Sequence, residues 1–585
     1  MYEIVIGRDQ KDKEKYGTKG AIFLGKQYVT MGQTTSVSNS VYMDMVRSHV
    51  VLVAGKRGCL EGTTLIFTDK GYKKIKEFDE TEDKILSFNK KEKIFEWESA
   101  KLLHYPIKNE KVLTIILSNE KSLTLTKEHP LLVAVGTNQL SLLWRPAEEL
   151  KEDDMLLCVT EDCSDINPIT IKKIEWREGV TDVYDLTVPK NHSFIANGII
   201  SHNSGKSYTL GVVAEGMADL PPEIKQNLTI LLLDTMGVYW TMKYPNKKEL
   251  PELKEWGLEP KGLDVQIYTP TSFFEEYRNK GIPTDFPFAI QPNELTPEDW
   301  CITFDVNINE PIGVLIERAI NTLREQTKEE GYSVQEIIGT LDSLSAATDI
   351  KDAAKNRFYN TLSWGIFDKK GTRIEDLAQA GKVGILDVSC YATMPNGWKI
   401  KCLVVGLVCK KLFMQRMLVR KDEEFAQLHE SMRYFSTEQD TKQEFPLVWV
   451  VVDEAHEFLP REGKTTASDP LITILREGRQ PGISLILATQ QPGKIHTDVM
   501  TQSDTVLSHR ITAKIDTEAL GTLMQSYMRE GLDVQLDKLP RTKGSALLFD
   551  DTNEKLYPVK IRPRFTWHGG ESPTALHEIK DRFGI

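Results

Sequence analysis

The chain has 585 residues, room for several domains, and its 40% hydrophobic and 27% charged content is that of an ordinary globular protein. A net charge of −12 argues against a surface coated in nucleic acid, though not against a local basic groove or pore. No apolar run approaches the roughly 18 residues of a membrane span. The charged N-terminus does not read as a secretory signal, and seven cysteines without a C-x-x-C pair argue against a disulfide framework or zinc ribbon, so a cytoplasmic protein is expected.

In chain order, residues 1–48 hold short strand patterns, "AIFLGKQYVTMGQ" and "SVYMDMV". "VVLVA" then reads as a buried strand and runs into Gly55, Lys56, Arg57 and Gly58. This opens like a phosphate-binding loop, G-x-x-x-x-G-K-[ST], but Cys59 and "LEGTTLIFT" follow where a helix should start. The back half of such a loop, Gly205-Lys206-Ser207, stands far downstream, and Ile200 occupies the place of its first glycine. Deleting Cys59 to Asn203, 145 residues in all, joins the halves into G-K-R-G-S-G-K-S, running from Gly55 to Ser207, with a strand before it and a helical pattern after it.

The deleted segment begins with Cys59 and ends with His202-Asn203, and the hydroxyl residue Ser204 follows it. Inside lie Thr126-x-x-His129 and the run "VYDLTVPKNHSF", which carries Asp185 and His192. In this order, the blocks resemble an intein, a self-excising protein segment, over the whole of 59–203. No LAGLIDADG-like stretch is present, so the resemblance is to a mini-intein with an all-β Hint-type fold and no homing endonuclease. It implies Cys59 as the first nucleophile, with His129, oriented by Thr126, polarising the Gly58–Cys59 amide. It further implies Ser204 as the second nucleophile and Asn203 as the residue that cyclises. His202 and His192 would move protons, and Asp185 would hold or activate Cys59. A thiolate is a strong nucleophile near neutral pH and imidazole titrates there, so the residue types suit the chemistry. No metal or nucleotide is needed. His104 belongs to none of these blocks.

The remaining 440 residues hold an α/β domain after the N-terminal strand patterns. "NLTILLLDTMGVYW" is a buried strand ending in Asp234, and "KVGILDVS" is another. "EFPLVWVVVDEAHEFLP" is a strand ending in Asp453-Glu454, and "PLITILREGRQPGISLILATQQP" is a helix, a turn and a strand ending in Thr489-Gln490. "DTVLSHRIT" adds one more. Alternating strands and helices, with motifs at strand C-terminal ends, predict an α/β P-loop ATPase with a RecA-like, mostly parallel sheet. The backbone of Gly55, Lys56, Arg57, Gly58, Ser204 and Gly205 would cradle the phosphates of ATP, and Lys206 would neutralise their charge. Ser207 and Asp453 would hold Mg²⁺, Glu454 would polarise the attacking water, and Gln490 would orient that water or sense the γ-phosphate.

The run "VVVDEAHEFLP…LREGRQPGISLILATQQP" and the tail "LPRTKGSALLF…YPVKIRPRF" resemble the HerA family of hexameric DNA translocases, within the HerA–FtsK group. The resemblance implies a homo-hexamer with ATP between subunits and DNA held by backbone contacts in a ring pore. It makes Arg479 the arginine given to the neighbour's ATP, with Arg476 or Arg510 as alternatives. It also implies a role in DNA repair or end processing and a partner nuclease of NurA type. Only about 48 residues precede the P-loop strand, so the family's N-terminal barrel is expected to be reduced. Residues 240–380 read as a helical insertion. The domains expected are therefore 1–48, the ATPase at 49–58 with 204–585, and the intein at 59–203. The basic stretches "PNKKE", "DIKDAAKNRF" and "FDKKGTR" are candidate DNA contacts or solvated faces. Two other readings stay open, an ATP-driven pump of the related conjugation type and a non-motor ATP-dependent switch.

Overall fold

A computed structural model describes residues 3–568, apart from 32–33, 56–59, 80–81, 90–93, 99, 107–111, 127–128, 136–140, 148–149, 160–165, 179–181, 189–192, 203–205, 328–329, 433–444, 510, 512–513, 525–531, 533–535, 537–538 and 541–543. The chain divides into two compact units. One is built from residues 1–54, 206–510 and 519–569 and the other mainly from 55–205.

The first unit is organised by one 13-stranded sheet. Its strands are β1 (Ile4–Ile6), β2 (Ala21–Met31), β3 (Thr34–Asp44), β4 (Val50–Ala54), β5 (Leu228–Asp234), β6 (Val265–Pro270), β7 (Phe286–Phe288), β8 (Val383–Asp387), β9 (Leu447–Val452), β10 (Ile483–Thr489), β11 (Thr505–His509), β12 (Ser545–Asp550) and β13 (Lys555–Ile561). Their order is β1-β3-β2-β13-β12-β11-β4-β10-β9-β5-β8-β6-β7. From β11 to β7 every pairing is parallel. Strands β4, β5, β8 and β10 are buried at every residue, as parallel strands covered on both faces must be. This is the α/β sheet expected from their near-continuous apolar runs.

Two features add detail to the expectation. Residues 240–380 are not helical throughout: they supply β6 and β7 at one sheet edge before the helices Pro311–Thr327, Val334–Ser343 and Thr348–Leu362. Residues 1–48, expected as a reduced barrel, extend the ATPase sheet, because β2 pairs antiparallel with β13.

Helix α1 (Lys206–Ala218) packs on β4 and β10. The strand before the insert and the helix after it therefore already lie together. Glu215 of α1 is fully buried and anchors the segment after β13. It accepts from Arg562 Nη1 (2.7 Å), Arg564 Nε (3.2 Å) and the backbone N–H groups of Phe565 (3.2 Å) and Thr566 (3.1 Å). Gly211 makes this approach possible: a Cβ there would stand 2.5 Å from the Arg564 guanidinium.

The N-terminal edge of the parallel strands carries a second buried charge network. His49 lies 3.2 Å from both Asp44 Oδ2 and Asp504 Oδ2, Arg8 pairs with Asp44 at 2.7 Å, and Arg479 pairs with Asp504 at 3.1 Å. Burial opposes a charged imidazole, but hydrogen bonds and charge from Asp44 and Asp504 outweigh it and push His49 up to about 9. A raised folded-state pKa gives stability that is complete below the unfolded value of about 6.5 and is lost as pH rises through about 9. The melting-temperature gap between wild type and His49→Gln should therefore be widest near pH 6 and close above pH 9. A gap constant from pH 6 to 10 would show that His49 is not charged here.

Among the described residues the second unit is built on a 15-stranded β-sheet, with thirteen strands in one path and two more paired at its side. Both ends of the insert enter it. Leu60, the residue after Cys59, pairs with Leu125 and Tyr184. The strand Ile199–His202 pairs with Ser193–Ala196, and Ser201 also pairs with Leu131.

Candidate functional sites

At the C-terminal edge of the parallel sheet, neighbouring strands bring the predicted ATPase residues into one row. Gly55 follows β4, Asp453 and Glu454 follow β9, and Gln490 follows β10. Helix α1 begins at Lys206 and continues through Ser207. Lys56, Arg57, Gly58, Ser204 and Gly205 lie outside the described residues.

Asp453 is buried, and its two carboxylate oxygens are held differently. Oδ1 accepts the Glu454 backbone N–H at 2.9 Å, and Oδ2 accepts the Tyr239 hydroxyl at 3.4 Å. Glu454 adopts left-handed backbone angles, φ 51° and ψ 44°. That conformation costs on the order of 1 kcal/mol for a non-glycine residue, and such strain concentrates at functional positions. The turn aims the carboxylate at the next strand, where Gln490 Nε2 donates to Glu454 Oε1. Gln490 Oε1 is buried and accepts no hydrogen bond from the described residues. A hydrolytic water held between Glu454 and Gln490 would use it.

The sequence reading missed His456. Its Nδ1 lies 3.2 Å from Thr489 Oγ1 and 3.6 Å from Glu454 Oε2, and its Nε2 lies 3.4 Å from Gln491 Nε2. It ties the turn after β9 to the end of β10. The D-E-A-H spelling was visible, but nothing in the spacing shows that its histidine would face the neighbouring strand.

Asp234 and Asp387 end adjacent strands and lie in register. Burial, then the charge of Asp387, raises the Asp234 pKa, and burial also raises that of Asp387. Backbone N–H groups of Met236, Gly237 and Tyr239 cap the Asp234 carboxylate at 3.2, 2.7 and 2.9 Å, fixing the turn that delivers Tyr239 to Asp453.

Arg479 and Arg476 are half-exposed and held by local ion pairs, to Asp504 and Asp498. Arg479 precedes β10, at the sheet edge opposite Gln490, and so stands away from the Asp453 row of its own subunit. Arg510 lies outside the described residues.

In the all-β unit, the two ends of the T-x-x-H turn meet where the backbone N–H of His129 donates to Thr126 O at 3.1 Å. His129 is fully buried, with its ring edge-on to Phe194 at 6.4 Å. The turn lies between two anchor points: Leu125 before it pairs with the residue following Cys59, and Leu131 after it pairs with Ser201. Asp185 is on the strand Asp182–Thr187, next to the Tyr184–Leu60 pair, and His202 ends the strand Ile199–His202. Cys59, His192 and Asn203 lie outside the described residues. Among the described residues, no group of His, Cys, Asp and Glu has the arrangement of a multi-ligand metal site, and no helix is long and apolar enough to cross a membrane.

Comparison with known proteins follows the same division. Residues 204–410 match the family model of the helicase HerA central domain, and residues 396–525 match the zonular occludens toxin (Zot) model. "Probable DNA double-strand break repair helicase HerA" of Methanocaldococcus jannaschii is 30% identical over 147 residues, 24% of this chain and 28% of that one. HerA of Pyrococcus furiosus is 29% identical over 169 residues, 27% and 30% of the two chains. HerA of Sulfurisphaera tokodaii is 23% identical over 231 residues, 36% and 42% of the two. The chain thus spans well under half the length of these curated relatives. Among solved structures, an Ssp DnaB mini-intein variant is 25% identical, covering 26% of this chain and 97% of its own, with a TM-score of 0.22. A DnaB intein from Synechocystis is 26% identical, covering 25% and 99%, also with a TM-score of 0.22. Residues 204–410 are thus similar to the HerA central domain.

Proposed function

We propose that this chain is the self-splicing precursor of an ATP-driven DNA translocase of HerA type. One observation carries the ATPase half: Gly55, Gln490 and Asp453-Glu454 follow three adjacent parallel strands at their C-terminal ends, where α/β proteins bind ligands, and α1 packs on two of those strands. The residues suit ATP and Mg²⁺, since one hydroxyl and one carboxylate are the usual protein share of a P-loop magnesium shell. Magnesium, when bound, draws charge from the β- and γ-phosphates. Lys206 adds a cation, Ser207 and Asp453 orient the metal shell, and Glu454 takes the proton of the attacking water while Gln490 holds that water. Arg479 acts in trans. Its place before β10, at the opposite end of the strands from Gln490, with a side chain about half exposed, supports that role in a head-to-tail ring.

The insert leaves first. Cys59 Sγ attacks the Gly58 carbonyl and replaces the amide with a thioester, freeing the Cys59 amine. Ser204 Oγ attacks that thioester and takes over the N-terminal chain as an ester, with Cys59 Sγ leaving as thiol. The Asn203 side-chain nitrogen closes on its own carbonyl, breaking the Asn203–Ser204 peptide. The freed Ser204 amine then captures the acyl group from its own oxygen. His129 and Thr126 strain the first amide, Asp185 acts on Cys59, and His192 and His202 move protons. The T-x-x-H turn between strands leading to both insert ends supports this reading.

The spliced ring would move DNA through non-specific phosphate contacts and pass ends to a NurA-type nuclease. The test is ATP hydrolysis by the purified spliced protein with and without linear duplex or single-stranded DNA. Stimulation of several-fold or more is expected, falling as salt rises from about 50 to about 300 mM. Hydrolysis indifferent to every DNA form would favour the non-motor switch.

A further inference from the structure

Strands β1, β3 and β2 pair with one another, but β4 has no strand partner among the described residues of the first 58. β4 lies between two strands from the far side of the insert, pairing Val50–Ala54 with Leu485–Thr489 on one edge and Val51–Ala54 with Thr505–Ser508 on the other. All five β4 residues are buried. Ile4, Ile6, Ile22, Leu24, Val41 and Met43 share one core with residues beyond the insert, such as Leu548 and Ile561.

Polar contacts cross the same seam. His49 N–H donates to Ser484 Oγ (3.1 Å), Trp449 Nε1 to Met45 O (3.2 Å), Arg562 Nε to Phe23 O (3.0 Å) and Lys13 Nζ to Asn553 Oδ1 (2.6 Å). Gly25 passes so close to β13 that a Cβ would stand 2.1 Å from Lys560 O. Withdrawing this segment would open two strand edges in the middle of the sheet and expose an apolar slot, a state that strand edges in native proteins are built to avoid.

We propose that residues 1–58 form a separable strand-donating segment, and that the rest of the ATPase core is its binding partner. The core holds it non-covalently when the bond at Gly58 is cut. The interaction has the chemistry of β-augmentation, main-chain hydrogen bonds on two edges with alternate side chains buried on both faces. The proposal rests on the splicing reading only for its purpose. While the acyl group passes from Gly58 through Cys59 to Ser204, the N-terminal piece stays in place, and a stray hydrolysis of the thioester does not release it.

The experiment uses the full chain in two arms. In the first, Cys59→Ala with Asn203→Ala prevents splicing, and a site-specific protease sequence inserted after Gly58 makes the cut. Under native size exclusion in about 1 M NaCl the N-terminal piece is expected to co-elute with the remainder, since an apolar seam is little screened by salt. Its separation from a remainder that still melts cooperatively would overturn the proposal. If the remainder instead unfolds and the piece is lost, binding does not survive the cut, which also overturns it. In the second arm, Asn203→Ala with Ser204→Ala is treated with dithiothreitol. The thiol attacks the Gly58 thioester and Cys59 leaves as its thiol, so the piece appears on a denaturing gel. Absence of a thiol-dependent cut would sink the splicing reading, while docking would still stand or fall on co-elution in the first arm.

Discussion

Expression of the wild-type chain is expected to yield a ligated protein of 440 residues and a free insert of 145, whereas Cys59→Ala with Asn203→Ala leaves one 585-residue chain. The double substitution removes the two bond-breaking nucleophiles at opposite ends, so neither single cleavage product should accumulate. Mass spectrometry of the purified products reads this directly, and wild-type fragments from the double variant would refute the intein assignment. The same precursor carries a second expectation. The phosphate cradle is made of consecutive backbone N–H groups, and here 145 residues separate its two halves. Each charge-assisted hydrogen bond to phosphate contributes about 1.5–3 kcal/mol, so losing two weakens ATP binding by roughly 10²–10⁴-fold. Sheet and helix flanking the cradle are already assembled, with α1 packed on β4 and β10, so folding of the core is not the missing step. Splicing is therefore expected to act as the activation step for ATP binding. Titration of a fluorescent ATP analogue into precursor and spliced protein checks it, and equal affinities would sink the idea.

Strands are legible in the sequence where burial on both faces forces an unbroken apolar run, as in β5, β9 and β10. β6 is not: its "VQIYTP" is short and carries Gln266, which pairs with Gln379, so the stretch dissolves into the surrounding helical pattern. The splice blocks and the P-loop halves stand out because their chemistry fixes residue types in a fixed order. What they touch does not. The pairing of β2 with β13 joins residues more than 500 positions apart, and no local pattern encodes it. Asp234 and Asp387 each look like an ordinary strand end, and only the strand order sets them side by side. His456 faces β10 because of the left-handed turn at Glu454, a backbone event that leaves no mark on composition. Arg479 is picked out in the sequence only by resemblance, and its partner Asp504 and the chain of charges behind it to His49 emerge only from the packing.

Glu454→Gln in the spliced protein is expected to lower the ATP turnover rate by roughly 10²–10⁴-fold, the usual contribution of a positioned general base, while ATP affinity stays within a few-fold. The substitution is nearly isosteric and removes only the proton acceptor. The Gln490 contact can persist, because Gln490 Nε2 donates to Oε1 and the new amide keeps an oxygen there. Gln490→Ala removes the partner instead. It removes the Gln490 hydrogen bond from Glu454 Oε1 while the His456 contact at Oε2 remains, so the loss should be smaller and the pH profile should shift. Asp453→Asn acts on the metal shell and should raise the Mg²⁺ concentration needed for half-maximal rate, which neither of the other two variants should do. Three neighbouring residues thus give three separable kinetic signatures. If Glu454→Gln and Asp453→Asn instead raised the Mg²⁺ requirement alike, with Glu454→Gln keeping its turnover at saturating metal, Glu454 would be a metal-shell residue and the base would have to be sought elsewhere. His456, which reaches Thr489 and Gln491 from the turn after β9, would be the first group to test.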